Sequence, residues 1–196
     1  MTADVGEYTD SEAIRRGHRL IRCVTSSISR AVPVGADVVD IGSGAYGDYV
    51  NWMRCNGWPN AVGIDGSASS CELSGGIVLV GDVTNASECL RLLGMRPEWI
   101  ICTEVGEHVP ITHQSGLIET LSLATDGIML SWATPGQRGR RHINCRLPEW
   151  VACEMGRVGF ALDHDETMAL RDTATRHWNK KLMVFRRATA CDLSKS

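Results

Sequence analysis

The run Val38-Val39-Asp40-Ile41-Gly42-Ser43-Gly44-Ala45-Tyr46-Gly47 constrains this chain more than any other. A short segment of strand composition ends beside an acid and enters a turn rich in glycine. A helical pattern follows over residues 46–56. Such a unit brings backbone close to a ligand and aims a helix N-terminus at it. The pattern recurs. Residues 61–64 read as a second strand ending at Asp65, and 77–80 as a third ending at Gly81-Asp82. Residues 99–102 form a fourth leading to Glu104, and 128–132 a fifth. Helical periodicity fills the gaps over 86–93 and 112–124. This alternation implies a parallel sheet with helices on both faces.

The ends of the chain read differently. Residues 11–30 have helical spacing, with Ile14, Ile21, Val24 and Ile28 on one side, and Pro33 and Gly35 close the segment. In the last third, 147–155 reads as a helix and 160–162 and 181–187 as strands, with no clear helix between the two. An antiparallel hairpin finishing the sheet is therefore expected. The sequence reads as a single domain over 1–196, with a helical arm at 11–31, a core at 36–187 and a tail at 188–196.

Composition removes several classes. At 196 residues, 43% hydrophobic and 22% charged, the chain suits a soluble core. No apolar run is long enough to span a bilayer, and the polar, acidic start does not read as a secretory signal. A net charge of −3 gives no global attraction for nucleic acid. The 8 cysteines form no C-x-x-C pair, so no metal site is expected. Most read as small buried hydrophobes in a reducing, cytoplasmic setting.

Gly42, Gly44 and Gly47 fit both G-x-G-x-x-G, which binds dinucleotides, and D-x-G-x-G, which binds S-adenosylmethionine (SAM). Asp40 favours the second, because a carboxylate repels pyrophosphate but suits a sulfonium and an ammonium. Four segments then appear in order: Val39-Asp40-Ile41-Gly42-Ser43-Gly44, Gly63-Ile64-Asp65-Gly66-Ser67, Gly81-Asp82-Val83, and Glu104-Val105-Gly106-Glu107-His108-Val109-Pro110. Together they resemble a class I SAM-dependent methyltransferase. The last is similar to the E-x-x-E-H segment of the quinone-biosynthesis group. The resemblance implies a Rossmann-like three-layer sandwich, with a seven-stranded, mostly parallel sheet and an antiparallel C-terminal hairpin. Tyr46 departs from it, standing where a third closely spaced glycine is common.

The resemblance also implies roles. Asp40, Gly42, Ser43 and Gly44 would lie along the methionine end of SAM. Asp65, with Gly66 beside it, would accept from the ribose hydroxyls, or else serve as a helix cap or turn acid. Asp82 would accept from the adenine amino group with Val83 against the ring, or else cap the helix at Ala86. Glu104 would hold the amino group or a bridging water. His108, one helical turn from Glu104 and next to Glu107, is the candidate catalytic base. The alternative is that His108 only packs or caps.

The segment 131–144 reads as a polar loop over the crevice. In it Trp132, Arg141, His142 and Asn144 are candidate acceptor contacts, though Trp132 could instead cover the sheet edge. His177 and Trp178 form a weaker pair for the same rim. With lysine only at positions 180, 181 and 195, the chain cannot build the Lys-Asp-Lys-Glu tetrad typical of ribose 2′-O-methylating enzymes. Cys102-Thr103-Glu104 stands where enzymes methylating amino groups of DNA bases carry an Asn/Asp-Pro-Pro segment. An O, N or S acceptor remains, a small molecule being slightly preferred. Guanine N7 of an RNA cap is an alternative, with Arg15, Arg19, Arg22, Arg138, Arg140 and Arg141 to track phosphates, unless the first three only form a solvated helix face. Two other readings stay open: a SAM-binding partner subunit without turnover, and a nucleotide-cofactor oxidoreductase.

Overall fold

The computed structural model describes residues 22–173 and 181–188. Arg15, Arg19, His177, Trp178 and the tail from 189 lie outside the described residues, as does the side chain of Arg22. The end of the expected first helix is present as α1 (Arg22–Ala31), which stops before Pro33.

The core follows in the order β1 (Val38–Ile41), α2 (Asp48–Cys55), β2 (Val62–Asp65), α3 (Ser70–Leu73), β3 (Val78–Val80), α4 (Ala86–Leu93), β4 (Trp99–Cys102), α5 (Gln114–Leu121), β5 (Gly127–Ser131), α6 (Pro148–Arg157), β6 (Phe160–Leu162), α7 (His164–Thr173) and β7 (Leu182–Arg187). Two 3-10 turns, Gly106–His108 and Ile111–His113, lie between β4 and α5. The strands form one seven-stranded sheet in the order β3-β2-β1-β4-β5-β7-β6. All pairings from β3 to β5 are parallel, and β7 runs antiparallel to both β5 and β6. This is the expected Rossmann-like architecture.

Side-chain alternation explains why the sheet is covered twice. Val39, Ile41, Ile100, Cys102, Ile128, Leu130, Met183 and Phe185 point to one face, where they meet Cys89 of α4, Leu117 and Leu121 of α5, and Val151 and Met155 of α6. Val38, Trp99, Ile101, Met129, Leu182 and Val184 point to the other, where they meet Ile28 of α1, Val50 and Met53 of α2, and Leu170 of α7. Strands buried on both faces read as nearly continuous apolar runs, and β1, β4 and β5 are buried at every position. Full burial of each such side chain contributes roughly 1.5–3 kcal/mol.

Two expectations need correction. A helix, α7, does lie between β6 and β7. Only Thr167 and Leu170 of its middle are buried, so its apolar stripe is too narrow to read as a period. Its start is set instead by Asp163, whose carboxylate accepts from the Glu166 N–H at 3.0 Å. The cysteines are also less buried than expected. Cys55, Cys71 and Cys153 are exposed because they fall on outward helix faces, Cys145 is half-buried, and Cys89 and Cys102 are in the core. All six are free.

The order places the functional crevice. After β1 the chain moves outward to β2 and β3, then returns across β1 to β4. Loops leaving the carboxyl ends of β1 and β4 therefore diverge and open a crevice between them. Among the described residues, no helix is long and apolar enough to cross a membrane.

Candidate active site

On one side of the crevice is the glycine turn. Gly42, Gly44 and Gly47 have φ of 72°, 71° and 61°, a region that glycine enters at little cost. Gly42 is needed for a second reason. A Cβ there would stand 2.4 Å from the Val105 side chain, in the segment that leaves β4. A Cβ on Gly44 would meet nothing within 4 Å, so the turn is open on its outer side. Ser43 packs over Gly63 of β2 rather than into the crevice. Gly47, not position 46, supplies the third left-handed residue and begins α2.

Asp65, at the end of β2, ties this turn down. One carboxylate oxygen accepts from the Gly44 N–H and the other from the Ser67 N–H, both at 2.9 Å. Each oxygen retains a lone pair for a further donor. Gly66, beside it, is exposed. Asp82 uses Oδ1 to accept from both the backbone N–H and the hydroxyl of Thr84. It does not cap α4: Asn85 does, accepting from Glu88 N–H at 3.1 Å. Val83 is half-buried and packs against the core beneath it.

Asp40 is 2% exposed, and its Oδ2 has no hydrogen-bond partner. Burial, reinforced by the charge of Asp65, pushes its carboxyl well above the usual carboxylate range. β1, β2, β3 and β4 thus each end at or near an acid: Asp40, Asp65, Asp82 and Glu104. An open glycine cradle, an orphaned buried carboxylate and this set of acids together fit a cationic adenosyl ligand such as SAM. A pyrophosphate beside the glycine turn would gain no attraction from such a set and would be repelled by its ionised members.

The other side of the crevice is built after β4. Glu104 has a φ of 60°, unusual outside glycine, so it breaks the backbone path before the Gly106–His108 turn. The single helical turn expected to link Glu104 with His108 is therefore not formed. Ser131 at the end of β5 fixes Glu104 twice: its Oγ accepts from the Glu104 N–H at 2.9 Å and donates to Glu104 Oε1 at 3.1 Å. Lys181, which precedes β7, donates to the same Oε1 at 2.5 Å.

Glu107 is fully buried, and neither carboxylate oxygen has a hydrogen-bond partner. Burial first, and then the charge of Glu104, pushes its carboxyl up to about 7. Its backbone carbonyl accepts from Ile143 and Asn144 N–H, strapping the loop after β5 onto this turn. Consequently Glu107, His108 and His142 meet, with one ligand atom from each within 4.8 Å of the others. The His108 and His142 rings are edge to face at 5.2 Å. His108 Nδ1 lies 3.1 Å from the Arg141 carbonyl and His142 Nδ1 3.3 Å from that of Gln137. Carbonyls only accept, so in each neutral ring the hydrogen sits on Nδ1 and the lone pair on Nε2. Two imidazoles and a carboxylate are also a donor set suited to a divalent cation. Cysteine spacing could not reveal that set, because it contains no cysteine and His142 lies 34 residues beyond His108 in the chain.

The remaining loop residues sort by burial. Trp132 is 1% exposed, donates from Nε1 to the Asn144 carbonyl at 2.6 Å and packs edge-on against Trp150. That placement fits the covering role and presents no ring face to an acceptor. Asn144 is buried and donates to Gln114. Arg138, Arg140 and Arg141 are exposed. Sequence reasoning missed Ser131 and Lys181. The second lysine of the pair Lys180-Lys181, abutting the apolar run Leu182–Phe185, was the available signal for the second.

No protein-family model matches the chain, and no curated protein matches it. Solved structures do. Magnesium protoporphyrin IX methyltransferase (ChlM) from Synechocystis PCC 6803 with bound SAH is 19% identical, covering 93% of this chain and 90% of that one, with a TM-score of 0.65. The sugar N-methyltransferase KedS8 from Streptoalloteichus sp ATCC 53650 is 13% identical, covering 94% of each chain, with a TM-score of 0.69. The methyltransferase domain of a bacterial Hen1, CtHen1-C, is 13% identical, covering 86% and 98%, with a TM-score of 0.61. Alternating strands and helices, the reversed β7 and this strand order give the chain the Rossmann-like fold of class I SAM-dependent methyltransferases.

Proposed function

We propose that this chain is a SAM-dependent methyltransferase acting on a hydroxyl, or another acceptor that must lose a proton, of a small molecule. The observation that carries the reading is the pairing of two unlike half-sites across one crevice. An acidic glycine cradle suits a cationic cofactor, and a cluster of titratable groups stands opposite it. The E-x-x-E-H resemblance and the methyltransferase neighbours agree with this reading.

When bound, SAM supplies a methyl group already activated by its sulfonium. The chain then has to orient and prepare an acceptor. Asp65 holds the ribose hydroxyls, Asp82 and Val83 the adenine, and the Gly42–Gly44 backbone the methionine end, with Asp40 buried behind it. His108 takes the acceptor proton at the ring nitrogen not bound to the Arg141 carbonyl. Glu107 and His142 sit against it, where an ionised carboxylate favours the imidazolium. A divalent cation held by the three would favour the deprotonated acceptor instead. Ile111 and Ile143, exposed and near His108 and His142 in the chain, offer apolar contact to an acceptor scaffold.

Guanine N7 carries no proton at neutral pH, so a cap methyltransferase has no use for such a cluster. A binding subunit without turnover has none either. The test is SAH formation from SAM over a panel of hydroxylated and amino small molecules and capped RNA, with manganese or with chelator. A hydroxylated small molecule should turn over, and His108→Ala should cut that rate roughly 100-fold with SAM affinity unchanged. Turnover on capped RNA alone, indifferent to His108→Ala, would contradict the proposal.

A further inference from the structure

We infer that Lys181 is a positioning residue for the cofactor, acting through Glu104: a buried cation that holds the Glu104 carboxylate where the α-ammonium of SAM docks. This rests on the cofactor reading proposed above.

The geometry has three parts. Lys181 stands just beyond Leu182, which pairs with Ser131 in the β5–β7 ladder. Its Nζ therefore approaches the end of β4 across β5 and reaches Glu104 Oε1 at 2.5 Å. Exposure is divided unevenly, with the Lys181 side chain 1% exposed and that of Glu104 30%. The pair thus has a closed cationic end and an open anionic end. Lys181 cannot touch a ligand itself, whereas Glu104 can.

Glu104 needs holding. Its backbone is in the left-handed region, and the charge of the buried Glu107 opposes its own. Without Lys181 the carboxylate would turn toward water, away from Glu107. Ser131 fixes the Glu104 backbone N–H and the same oxygen, so β4, β5 and β7 all converge on one carboxylate. Val105, the next residue, packs against Gly42. The anionic end is therefore set beside the glycine turn, where the methionine end of the cofactor would lie. A fixed carboxylate binds an ammonium better than a mobile one, because the ordering cost is already met.

Lys181 and Glu104 would serve only the amino-acid end of the cofactor, so ligands with and without that end distinguish their role. Calorimetry would compare SAH with 5′-methylthioadenosine, which keeps the adenosine and thioether but lacks the amino acid. Wild type should bind both. Lys181→Met should weaken SAH at least tenfold and leave methylthioadenosine within twofold. Glu104→Gln keeps an acceptor for Lys181, should fold even where Lys181→Met does not, and should give the same pattern. Equal losses for the two ligands in Lys181→Met would mean a merely structural role and overturn the inference. Unchanged SAH affinity in Glu104→Gln would overturn it as well. Wild type that binds neither ligand would instead refute the cofactor reading, and the inference with it.

Discussion

Asp65 shows how one side chain can serve the fold and a ligand together. It clamps Gly44 and Ser67 through backbone N–H groups and still has lone pairs to offer. Asp65→Ala should therefore weaken SAM binding by at least ~1.4 kcal/mol, a tenfold loss. Calorimetry checks this, and unchanged affinity would reject the ribose role. Glu107 presents the opposite case, a buried carboxyl without a partner. Its folded-state value, about 7, lies above the ordinary 4.5. Between these values the folded protein keeps a proton that the unfolded chain releases. Stability contributed by this group is thus present below about 4.5 and lost as pH rises to 7. Glu107→Gln should melt higher than wild type at pH 8, and the gap should shrink at pH 5. A gap independent of pH would contradict the assignment. Asp65 was legible in the sequence because it ends a strand before a glycine. The burial of Glu107 was not, since it depends on a loop folding back from position 142.

Elements with a strong local pattern lie where the sequence places them, and α7, which is held largely by its contacts with the rest of the fold, does not. β1, β4 and α4 fall where the periodicity puts them, because buried strands and a capped amphipathic helix leave clear marks. The helix expected at residues 112–124 begins as a 3-10 turn and is ordered from Gln114, close after Pro110. α7 is marked in the sequence only by Asp163 and Glu166, a capping pair, and not by an apolar stripe. Asp163→Ala should cost about 1 kcal/mol of stability by urea unfolding; no change would show that β7 alone holds the helix. Gly42 combines a left-handed backbone with contact against Val105, so Gly42→Ala should cost roughly 1–3 kcal/mol. A neutral result would mean that the glycine turn and the β4 segment are not in contact.

At the scale of the molecule, topology does the assembling. The switch between β1 and β4 opens one crevice, and the loop after β5 closes over it by bonding to the Glu107 carbonyl. Asp40, Asp65 and Asp82 belong to one side, and Glu104 with the Glu107–His108–His142 cluster stands on the other. The sequence showed the first group, since each acid follows its own strand. It could not show the second, whose members come from separate segments. If that cluster takes a cation, manganese should raise the melting temperature of wild type and leave Glu107→Gln unaffected. Equal shifts in both would place the metal elsewhere. The central claim is that the crevice takes SAM, and titration of the purified chain with SAM, SAH and NADH by calorimetry tests it most directly. Binding of SAM and SAH, with none of NADH, is the predicted result. Binding of NADH alone, or of none of the three, would contradict it.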